Sequence, residues 1–117
     1  MLRRELERFG NRCVWSWEGW RDSWREEPSL RQWAAANVVS AALTFVFVMT
    51  NTERALIIGF GLLILVTELL NTAIELVVDD ISEEKRQRAK RAKDSASAAV
   101  ALAAVTAGVV WVLVLFG

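Results

Sequence analysis

Three long apolar runs and one amphipathic stretch divide the chain. The runs cover about 29–49, 55–78 and 95–116. Each is close to the ~20 residues that a helix needs to cross a ~30 Å hydrocarbon core. Backbone groups in lipid must be satisfied within the segment, so the runs are predicted as helices. The third carries no charge and offers no polar side, which argues against a soluble three-helix bundle. Ahead of them, Leu6, Phe9, Cys13, Trp17, Trp20 and Trp24 recur at steps of three and four. That spacing marks one face of a helix over 3–25. Its indole-rich face and flanking charges suit the headgroup layer, and packing against the membrane bundle is a compatible alternative. Pro28 predicts a break before the first run.

The expected fold is therefore an all-α membrane protein of one domain, an N-terminal surface helix followed by three transmembrane helices. Positive charge orients it. Arg3, Arg4, Arg8, Arg12, Arg21, Arg25 and Arg31 lie before or at the start of the first run, and Lys85, Arg86, Arg88, Lys90, Arg91 and Lys93 lie in the 79–94 linker. The turn between the first two runs holds only Arg54. The N-terminus and the linker are expected in the cytoplasm and the C-terminus outside, in a bacterial inner membrane on the periplasmic side.

Composition then removes several chemistries. Equal numbers of acidic and basic residues, 14 each, give no net charge to attract nucleic acid. A single cysteine excludes an internal disulfide, and the absence of histidine leaves carboxylates or lysine for acid–base work.

The second run is interrupted by Glu68, Asn71 and Glu75, with Asp79 following. Spacings of three, four and four align them on one helix face, a stripe ~16 Å long with Glu68 deepest. A charged side chain in a membrane span costs at least ~2.5 kcal/mol. A polar contact between helices would need one asparagine or serine rather than two acids, so the stripe reads as a functional site. A carboxylate with little water around it is a stronger proton acceptor. Mg²⁺ takes carboxylate oxygens and bridges to phosphates. Lys93 and Asp94 open the third helical run across the linker from Asp79, and Glu26 and Glu27 precede the first run at similar depth. Metal ligands, a cationic clamp and a base are the parts of phosphoryl transfer. No GxxxxGK[ST] loop is present, and Gly59-Phe60-Gly61 is expected to pack helices.

The octapeptide from Glu68 to Glu75 (ELLNTAIE), then Val78-Asp79, then Ala92-Lys93-Asp94 with Ser97-Ala98-Ala99-Val100, resembles the signature of the bacterial integral-membrane diacylglycerol kinase family. Trp17, Trp24, Glu27 and Arg31-Gln32 extend the resemblance over nearly the whole chain. It implies a homotrimer with active sites between subunits, ATP and Mg²⁺ entering from the cytoplasm and a lipid alcohol arriving through the membrane. Glu68 would be the base, and Glu27 and Glu75 the metal ligands. Asn71, Lys93 and Asp94 would contact nucleotide or support the site, with Glu84, Lys85 and Arg86 beside it. Arg8, Trp15, Trp17, Arg31, Gln32 and Ser97 would line the nucleotide and lipid approaches. Trp33 stands where a carboxylate is expected, Trp15 where tyrosine is, and Cys13 where alanine is. Undecaprenol is the alternative lipid substrate. A non-enzymatic proton or cation carrier could use the same acids without Lys93, Asp94 or Glu27, and a structural membrane subunit is the third reading.

Overall fold

The computed structural model describes residues 1–117. The chain forms four helices and no strand: α1 (Leu2–Glu26), α2 (Pro28–Leu43), α3 (Asn51–Ile81) and α4 (Gln87–Phe116). Both α3 and α4 are long and apolar enough to cross a membrane.

The break between α1 and α2 has the expected cause. Glu27 is extended and Pro28 opens α2, where its missing N–H costs nothing. No residue of α1 is buried. Its Trp20 and Trp24 rings lie 5.7 Å apart and, with Ala34, Ile58 and Leu62, line an apolar groove beside α2 and α3.

Helix α2 ends at Leu43, short of the 29–49 run. Two things stop it. The last turn tightens, with Phe45 N–H bonding to Ala42 and Val46 N–H to Leu43. The Arg54 side chain then holds the backbone just beyond Leu43. Its Nε donates to the Thr44 carbonyl at 3.2 Å, and its guanidinium lies 4.5 Å above the Phe45 ring. A capping box starts α3, with Glu53 N–H donating to Thr50 Oγ1 and Thr50 N–H to Glu53 Oε1.

At the other end, α3 and α4 overrun the apolar runs. The 79–94 segment, read as a linker, is helical except for 82–86. Glutamine, arginine, alanine and lysine are good helix formers and need no apolar surroundings, so the helix continues through them.

One seam of α3 is buried: Ile57, Gly61, Ile64, Glu68 and Thr72. It packs against α4, which contributes Ala96 and Val100, and against α2, which contributes Leu30. Trp111 Nε1 donates to Ser40 Oγ at 2.8 Å, tying α4 to α2. Gly61 has the packing role expected of it, because a Cβ there would strike the Asn37 side-chain oxygen, whereas a Cβ on Gly59 would meet open space. Asn37 cannot swing away freely, because its Nδ2 donates to the Trp33 carbonyl.

Gly61→Ala is expected to destabilise the helix pair by about 1–2 kcal/mol. Thermal unfolding in detergent would show it, with Asn37→Ala in the same chain recovering most of the loss.

Candidate active site

The buried seam of α3 turns polar toward its C-terminal end. Glu68 is only 4% exposed. Its Oε1 accepts a hydrogen bond from Ser29 Oγ at 2.5 Å, and no other side chain bonds to it. Ser29 is held in the first turn of α2 by the Glu27-Pro28 break. The joint between α1 and α2 therefore sits over the deepest acid of the stripe.

One turn further along α3, Asn71 Nδ2 donates to Glu75 Oε1 at 3.2 Å. The other amide atom, Asn71 Oδ1, is buried without a partner. A buried acceptor left unmade is costly, and here it lies beside a half-buried carboxylate. Beyond them, Asp79 Oδ1 accepts from Lys93 Nζ at 2.5 Å, joining α3 to α4 across the loop. Sequence position places Lys93 opposite Asp79, and the two side chains meet. Lys90 pairs with Asp94 at 2.6 Å. That hydrogen bond and the Asp94 charge raise the Lys90 pKa above its ordinary value.

These pairs border an open cleft of about 570 Å³ that includes Glu84, Lys85 and Arg86 in its lining. Arg86 reaches back to the Val78 and Ser82 carbonyls at 3.5 Å each, covering the end of α3. An acidic and basic cleft at the end of two membrane helices is chemically suited to a polyphosphate and its cation.

Other expected residues lie apart. Arg8, Trp15, Trp17, Gln32 and Ser97 are exposed, and no side-chain hydrogen bond links them to the stripe. Arg8 instead pairs with Glu5. Arg31 has a local partner, its Nη1 donating to the Trp24 carbonyl and, at 3.2 Å, to the Arg25 carbonyl. It closes the C-terminal end of α1. Glu27 is half-buried at the joint, and no group of three or more acids gathers within one chain. The sequence reading missed Ser29. Its spacing within α2 says nothing of α3, so no sequence signal pointed to it.

A helical chain with two helices long and apolar enough to cross a membrane, a buried carboxylate on one of them and a charged cleft where the two are joined has the features of a membrane protein with a site at the lipid–water boundary. The comparisons place it within that class. The sequence model described as prokaryotic diacylglycerol kinase matches residues 14–115, and the chain belongs to that family. It is 39% identical over 112 residues to the diacylglycerol kinase of Pseudomonas aeruginosa, covering 96% of this chain and 91% of that one. The Escherichia coli K12 diacylglycerol kinase is 35% identical over 102 residues, covering 87% and 84%. The undecaprenol kinase of Bacillus subtilis is 36% identical over 115 residues, covering 96% and 91%.

Arg31→Met is expected to fray the end of α1. Amide hydrogen exchange at residues 24–27 should quicken about fivefold, the scale of one net hydrogen bond.

Proposed function

We propose that the chain is an ATP-dependent diacylglycerol kinase. It transfers the γ-phosphoryl group to the lipid hydroxyl and gives phosphatidic acid at the cytoplasmic face of the inner membrane. The observation that carries the reading is the buried Glu68 carboxylate at the head of a stripe that leads to the charged cleft. The names of the relatives agree with it.

The roles follow from position. Glu68 takes the proton from the lipid hydroxyl, whose oxygen attacks the γ-phosphorus as ADP leaves. Its second oxygen, free of Ser29, is the one available to that proton. Lys93, Asp94 and the Glu84-Lys85-Arg86 loop hold the nucleotide. Lys93 must exchange Asp79 for phosphate oxygens to do so. Asn71 and Glu75, with Glu27, supply hard oxygen donors for Mg²⁺. The unpartnered Asn71 Oδ1 fits that use, as does the preference of Mg²⁺ for one or two carboxylates together with substrate phosphates. Bound there, the ion would neutralise phosphate charge.

The working form is a homotrimer with three spans in each subunit. The third is α2 with the apolar residues to Met49. Only 9 of 117 residues are buried in the isolated chain, and large apolar side chains are exposed along α3 and α4, a surface that lipid and neighbouring subunits would cover. Arg8, Trp15, Trp17, Gln32 and Ser97 then serve the nucleotide and lipid approaches from subunit boundaries, and Arg31 supports them from the α1–α2 joint. The bias of positive charge supports a cytoplasmic N-terminus and 79–94 segment and a periplasmic Gly117.

The Bacillus subtilis relative favours one second reading, undecaprenol as acceptor. Purified protein given labelled ATP and each lipid in bicelles should phosphorylate diacylglycerol faster. Faster labelling of undecaprenol would reverse the assignment, and absence of lipid-dependent ATP turnover would end the kinase reading. Glu68→Gln is expected to lose about 10²-fold or more in turnover, the scale of a lost general base, with assembly unchanged by gel filtration. Glu75→Gln should raise the Mg²⁺ concentration for half-maximal activity by about tenfold. An unaltered magnesium titration would remove Glu75 from the metal site.

A further inference from the structure

We infer that Ser29 is a positioning residue for Glu68: its hydroxyl fixes the carboxylate so that a single oxygen faces the reacting hydroxyl. The inference rests on Glu68 acting as the base. Ser29 Oγ is the only side-chain donor to Glu68, and it bonds one oxygen alone. The carboxylate is almost wholly withdrawn from solvent, and Ser29, half-buried, is the side chain that reaches it. Without Ser29, the terminal torsion of Glu68 would spread over its broad well and blur the direction in which the free oxygen points.

The anchor for this bond is stiff. Pro28 fixes the backbone torsion just before Ser29, and Leu30, just after it, is fully buried. Ser29 is thus pinned on both sides within the first turn of α2. The N-terminal end of a helix also favours a nearby negative charge. The same short segment carries Glu27, the proposed metal ligand. One rigid turn would then register the base against the nucleotide.

The bond is not a major source of stability. Side-chain hydrogen bonds between membrane helices average about 0.6 kcal/mol. A hydrogen bond to a reacting charged group can matter more in the rate than in the fold. Ser29→Ala leaves a better helix former at the site and removes only the donor.

The test compares Ser29→Ala, Ser29→Thr and Glu68→Gln in the full-length, assembled protein with Mg-ATP and diacylglycerol in bicelles. Ser29→Ala should lower kcat about tenfold, the size of one charge-assisted hydrogen bond, with KM for both substrates little changed. Ser29→Thr, which keeps the hydroxyl, should recover most of the rate. The infrared carboxylate band that Glu68→Gln abolishes should move in Ser29→Ala and return in Ser29→Thr. Full kcat in Ser29→Ala, a change confined to KM, or an unmoved band overturns the inference and leaves Glu68 as base if Glu68→Gln is inactive. An active Glu68→Gln overturns both.

Discussion

Removing one carboxylate from water is the constraint around which the molecule is arranged. Glu68 lies on the same seam as Ile57, Gly61, Ile64 and Thr72, where the other positions are apolar or small. An isolated ion there would be costly. It is accommodated by a hydroxyl donor from Ser29 and by the first turn of α2. The α1–α2 joint, the proline at 28 and the burial of Leu30 all place that turn over the acid. Toward the loop, the seam becomes progressively more solvated, from the half-buried Asn71 and Glu75 to the exposed Asp79. A single helix face therefore runs from a dry end suited to proton transfer to a wet end suited to a charged nucleotide.

The helices around this face are held by specific contacts more than by apolar burial, because lipid competes equally for apolar surface. Gly61 lets Asn37 approach, Trp111 bonds Ser40, and Lys93 ties Asp79. The first two lie within one turn of each other on α2, and the third lies beside the loop between α3 and α4. Membership of the prokaryotic diacylglycerol kinase family fits this plan, since a membrane kinase must hold a water-soluble and a lipid-soluble reactant at one boundary.

Much of this was legible in the sequence because helical periodicity fixes what shares a face. The tryptophan face of α1 and the alignment of Glu68 with Glu75 could be read from spacing alone, and the shortness of the loop put Lys93 near Asp79. Partners between helices that meet far from the joining loop could not. Ser29 meets Glu68 because α2 and α3 pack at one particular level, and periodicity within either helix leaves that level open. Arg31 and Arg54 were equally opaque: a long basic side chain can fold back onto a carbonyl some residues away, and both do. Arg54 thereby ends α2 at Leu43, where hydrophobicity alone would have carried the helix to Met49. Helix propensity extended α3 and α4 past the apolar runs, because hydropathy reports the solvent of a helix and not its length.

The bond between Asp79 and Lys93 makes the spacing along α3 an angular quantity. Each residue advances a helix by ~100°, so inserting or deleting one position between Thr72 and Asp79 would swing the aspartate a quarter-turn or more off the lysine while Glu68 stayed in place. Insertions of a whole number of turns would keep the bearing but lift the pair away from the membrane plane. Glu75 apart, substitution is thus better tolerated than a change of length in this stretch, and its residue count is set by phase as much as by chemistry.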